Sequence, residues 1–172
     1  MIEFLQGKWL KHPLHPPLVH VPAALWPAAL VFDILSRIGE GDNVFVQLSF
    51  FSILLGLLVA LVAIPTGYAD WTGIRRDKPA WKIGLYHMGL NAVVWILSAI
   101  NLIFRLEIYQ TAQAVPFGLL WLSGLAVFLL LISGYLGGRM IYAYGINVAR
   151  LSKGKWRAVA EAGKANLPEK GG

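Results

Sequence analysis

Four histidines stand where imidazole chemistry is possible: His12, His15 and His20 in the segment KHPLHPPLVHVP, and His87 in the stretch YHMGLNAV. Neutral imidazole is a good axial ligand for haem iron, and it also suits zinc, copper or iron held with oxygen ligands. Asn91 follows His87 by one helical turn, so on a helix the two share a face. Asp70, in TGYADW, adds a carboxylate, and Arg139 and Arg76 add guanidinium groups able to grip carboxylates bidentately. Two readings of this set follow. One is a bis-His haem b site formed by His20 and His87, with His15 as the substitute for His20, Asn91 as support, and Arg139 or Arg76 on the haem propionates. The other is a single transition-metal ion held by His12, His15, His20 and Asp70. Tyr86, Trp71, Phe32 and Tyr135 are potential pocket walls and equally ordinary packing residues. Taken singly, each histidine is also readable as a hydrogen-bonded interfacial residue.

Other chemistries find less in the residues. The chain has no cysteine, which excludes disulfides, thiolate metal sites, c-type haem attachment and Cys-ligated iron–sulfur clusters. There is no glycine-rich phosphate loop and no nucleophile elbow, so no catalytic residue is assigned and a self-sufficient enzyme has no support. Asp33 lies deep in an apolar stretch, where it must point inward and pair, with Asn101 or Ser98 as the expected partners. A proton or ion pathway through Asp and His has little backing, since no inverted repeat is evident; nor is a repeat with a 20–50 residue period.

The elements that must position these groups are membrane helices. The 172 residues are 57% hydrophobic and 14% charged with a mean hydropathy of +0.61, far from a soluble composition. A spanning helix needs about 20 apolar residues, and four such stretches occur at roughly 18–38, 44–66, 84–105 and 115–137. The expected fold is an all-α integral membrane four-helix bundle. It has an N-terminal segment 1–17, a bundle 18–140 and a basic tail 141–172. From about Ile141 to Ala165 the tail alternates apolar and basic residues, as an amphipathic helix on an anionic leaflet would.

Thirteen of the fifteen Lys and Arg residues fall in the N-terminal segment, the second connection and the tail, leaving Arg37 and Arg105 for the other side. Cytoplasmic loops retain positive charge, so both termini are expected in the cytoplasm of a bacterial inner membrane. Trp9, Trp71 and Trp81 fall near the same interface, and Trp156 lies in the tail. The net charge of +6 therefore reads as an orientation signal and not as a nucleic-acid surface. The first seventeen residues lack the apolar core and cleavage site of a removable signal.

The residues HPPLVHVP (His15 to Pro22), Asp33, TGYADW and HMGLN resemble a family of bacterial membrane proteins classed as a domain of unknown function, family 2231. The resemblance covers roughly 12–145, with His15, His20, Asp70 and His87 at the family's positions and Val21 in place of its usual Phe. It implies a cytochrome-b-like redox membrane protein, since related chains are sometimes joined to Rieske or cytochrome domains. The expectation is thus an electron-transfer subunit that exchanges electrons with a quinol or a neighbouring redox protein, within a membrane complex or homo-oligomer. The alternative is a haem-free protein with a His/Asp metal site, or a structural subunit of a larger assembly.

Overall fold

The computed structural model describes residues 1–38 and 43–148, together with the isolated positions 158, 162 and 163. A short helix α1 (Ile2–Leu5) and a 3₁₀ turn (Lys8–Leu10) lead into four long helices, α2 (His15–Ile38), α3 (Val44–Thr72), α4 (Pro79–Arg105) and α5 (Phe117–Tyr142). The described residues contain no strand. All four long helices have the length and apolar composition to cross a membrane. Their outward faces carry exposed large side chains such as Phe51, Leu58, Phe104, Trp121 and Leu131, the surface that contacts the bilayer.

The helices extend beyond the apolar stretches, chiefly at the basic end. Pro16 and Pro17 fall in the first turn of α2, where a missing N–H costs nothing, and Pro79 opens α4 in the same way. Pro65 does not end α3, which runs on to Thr72, and Gly137-Gly138 does not end α5. Proline and glycine are tolerated in such helices because neighbouring helices and hydroxyls satisfy the freed backbone groups. Past Tyr142 the chain turns through Gly145 (φ 63°) and Asn147 (φ 57°). Beyond residue 148 the amphipathic tail expected to run to Ala165 lies outside the described residues, the isolated positions 158, 162 and 163 apart.

The bundle is built as two helical hairpins, α2 on α3 and α4 on α5. Their register is shared. The ring of His15 bonds the carbonyl of Ala63 on its partner helix, and the ring of His87 bonds the carbonyl of Ser133 on its own. His87 follows His15 by 72 residues, the interval that also separates Asp33 from Arg105. The two hairpins thus carry their histidine contacts at matching positions. The core of the bundle runs through Trp26, Ala29, Ile53, Leu57, Ala60, Val94 and Ala126.

Candidate functional site

At the end away from the basic residues, one charged network ties all four helices. Asp33 on α2 and Arg105 on α4 form a bidentate pair, Nη1 to Oδ1 at 2.9 Å and Nη2 to Oδ2 at 2.7 Å, with both side chains at 0% exposure. Ser49 of α3 and Ser123 of α5 donate to the two carboxylate oxygens. The remaining guanidinium hydrogens reach Asn101 Oδ1, Ser49 Oγ and Ser123 Oγ, and Asn101 Nδ2 reaches Ser123 Oγ and Leu119 O. All five guanidinium donors and both carboxylate oxygens are thus satisfied, the condition under which a buried pair persists in an apolar interior. Of the partners expected for Asp33, Asn101 joins through Arg105 and Ser98 is buried nearby without touching the carboxylate. Arg105 itself, read from the sequence as a loop charge, is the principal partner. Asn101 one turn before it was the available signal. With every guanidinium hydrogen and both carboxylate oxygens engaged, the network serves as a structural lock between the four helices.

At the basic end the imidazoles of His15 and His87 occupy equivalent positions in the two hairpins. The His15 ring donates from Nδ1 to Ala63 O at 3.0 Å, with Thr66 Oγ1 at 3.4 Å. His87 donates from Nδ1 to Ser133 O at 2.8 Å. A carbonyl partner fixes the proton on Nδ1 and leaves Nε2 with a lone pair. Among the described residues, Nε2 of His15 has no hydrogen-bond partner, whereas Nε2 of His87 is approached by Asn91 Nδ2 at 3.2 Å. Asn91 also reaches Ser133 Oγ at 2.7 Å, so it braces the ring and the hydroxyl of the residue whose carbonyl holds that ring.

Two glycines make room for the rings. A Cβ at Gly67 of α3 would stand 2.5 Å from His15 Cε1, and one at Gly137 of α5 would stand 3.2 Å from His87 Cε1. Both contacts lie one turn inside the layer where Trp71 packs against Gly84 and Met140, so the imidazoles share a depth. About 12 Å deeper on α4, two turns beyond His87, Trp95 Nε1 is buried with no acceptor among the described residues.

The other predicted residues lie elsewhere. His20 is exposed, its Nδ1 bonded to Pro16 O one turn back on its own helix; it is His15 that shares the interior with His87. The physical reason is angular. Positions five apart on a helix point in different directions, so His15 and His20 cannot both face inward. His12 is exposed beside Pro13, and Asp70 accepts from Asn147 Nδ2. No group of three or more His, Asp or Glu converges among the described residues, so His12, His15, His20 and Asp70 do not assemble. Arg139 and Arg76 are exposed at the basic end. Of the proposed wall residues, Trp71 packs on Trp81, Phe32 stacks on Phe45, and Tyr86 and Tyr135 are exposed on the outer surface.

Comparison with known proteins fits this architecture. The family described as "Predicted membrane protein (DUF2231)" matches residues 11–150. The chain belongs to that family. No curated protein and no solved structure matches it. The matched span contains all four histidines, both members of the buried ion pair and both histidine-bearing hairpins.

Proposed function

We propose that this DUF2231 protein is a b-type electron-transfer subunit whose haem is held between His15 and His87. The observation that carries the reading is the paired imidazole geometry: two rings from separate hairpins, at one depth, each bonded through Nδ1 to a backbone carbonyl, which leaves Nε2 as the nitrogen that could ligate. Such outer-shell bonds are how proteins orient ligating histidines. Four-helix bundles place cofactors among facing helices in this way.

The donor set fits the group. His15 and His87 would hold a haem without a third protein ligand, in keeping with the lack of any larger His, Asp or Glu group among the described residues. Gly67 and Gly137 keep the ring edges free of side-chain bulk. Arg139 and Arg76 stand at the same end for propionate contact. When bound, the haem supplies one-electron redox chemistry. The protein's part would be to keep Nε2 of His15 free and to have Asn91, which already reaches Ser133 Oγ, give up its contact with Nε2 of His87. The orphan indole N–H of Trp95, on the face of α4 that carries Asn91, offers a hydrogen bond to an acceptor brought in from outside the chain, such as a quinol oxygen.

In this reading the basic end faces the cytoplasm of a bacterial inner membrane, and the partner is a quinol or an adjacent redox protein of a membrane complex. The test is an absorption spectrum of protein purified from haem-replete cells. Sharp low-spin bands in the reduced-minus-oxidised spectrum, at about one haem per chain, are expected; a colourless preparation that stays colourless when haem is added contradicts the proposal.

A further inference from the structure

At the basic end, a hollow of about 880 Å³ opens between the N-terminal segment, the α3–α4 connection and the turn after α5. This is within the size range of sites that hold small ligands. Its lining includes Lys8, Lys11, Arg75 and Lys78 against one carboxylate, Asp70, which is already engaged by Asn147. The cations are not equally free. Lys8 is paired with Glu3 at 2.6 Å, a hydrogen bond and charge that hold the Glu3 carboxyl below its ordinary range. Arg75 is paired with Asp77 at 2.9 Å. Lys78 stands 3.9 Å from the same aspartate, and Lys11 has no ion pair among the described residues. Lys11 and Lys78 are thus the charges most available to an incoming anion.

The segment that forms one wall is amphipathic and fixed. Gln6 Nε2 donates to Ala69 O at 2.9 Å, pinning α1 and the following turn against the end of α3. From this anchored segment, Phe4 and Trp9 stack with ring centroids 5.5 Å apart, 61% and 59% exposed. Stacked aromatic rings held at the end of a membrane bundle belong at the headgroup level, beside acyl chains. A polar hollow with spare cations and an apolar shoulder on the same segment matches a molecule with an anionic head and a greasy body. Basic pockets between membrane helices take phospholipid headgroups for this reason.

We propose that this hollow is a binding site for an anionic phospholipid, its phosphate held by Lys11 and Lys78 and its chains lying against Phe4 and Trp9. The proposal is independent of the haem reading. The full-length protein, in a non-ionic detergent, is titrated with phosphatidylglycerol and, separately, with phosphatidylcholine of matched chains, and bound lipid is counted by native mass spectrometry. Phosphatidylglycerol is expected to bind selectively, and Lys11→Ala and Lys78→Ala each to weaken it about fivefold. Lys82→Ala, an exposed charge of α4 outside the hollow, is expected to leave it unchanged, and Lys78→Arg to retain it. Equal binding of both lipids, or equal losses in Lys82→Ala and Lys11→Ala, would overturn the proposal. Displacement by soluble glycerol phosphate at the lipid's own concentration would overturn the lipid assignment in favour of a free phosphate ligand.

Discussion

Removing one partner of the Asp33–Arg105 pair leaves its counterpart as an uncompensated charge in an apolar bundle, a change that costs about 3–5 kcal/mol. Arg105→Met is therefore expected to lower resistance to unfolding by that order, read from denaturant titration in detergent micelles. Replacing both, as Asp33→Leu with Arg105→Met, is expected to recover most of the loss; a double variant as unstable as the single one would show that the network does more than neutralise itself. The imidazole notch gives a second residue-scale prediction. Gly67→Ala puts a methyl 2.5 Å from the His15 ring carbon, which forces the ring from the Ala63 carbonyl, whereas Gly89 has open space around it. Haem per protein should fall several-fold in Gly67→Ala and stay at the wild-type value in Gly89→Ala. Full occupancy in both would place the ligand away from His15.

The elements were legible in the sequence wherever hydrophobicity decided them. Four apolar stretches became four helices, since a chain in hydrocarbon must satisfy its backbone within each segment. Their ends were less legible, because Pro65 and Gly137-Gly138 act as breakers in water yet sit inside α3 and α5. The sequence pairs His20 with His87, whereas the structure turns His15 toward the interior and leaves His20 exposed; the two carry the same chemistry, and only the rotational setting of α2 tells which ring meets the interior. Arg105 was missed because a basic residue at the end of an apolar run reads as a flanking charge until its partner is known. The likeness of the two hairpins is illegible in the sequence for a related reason. The two hairpins preserve where polar contacts fall, His15 with Ala63 and His87 with Ser133, while the side chains between them differ.

For the whole molecule, the burial of Arg105 sharpens the charge asymmetry. Of the two basic residues assigned to the opposite end, Arg105 is inside the bundle and Arg37 donates to Val115 O at 2.6 Å with its guanidinium over the Phe117 ring. That end presents almost no free positive charge, which is the asymmetry expected if, as proposed above, the histidine end faces the cytoplasm. The absence of native cysteine makes this directly measurable with an impermeant thiol reagent in intact cells. Glu107→Cys is expected to label without permeabilisation and Lys82→Cys only after it; the reverse pattern would invert the topology. The central claim, that His15 and His87 together hold the cofactor, is tested most directly by titrating haem into apoprotein of three variants, His15→Ala, His87→Ala and His20→Ala. Low-spin haem binding should be lost in the first two and kept in the third. Retention in His15→Ala with loss in His20→Ala would contradict it.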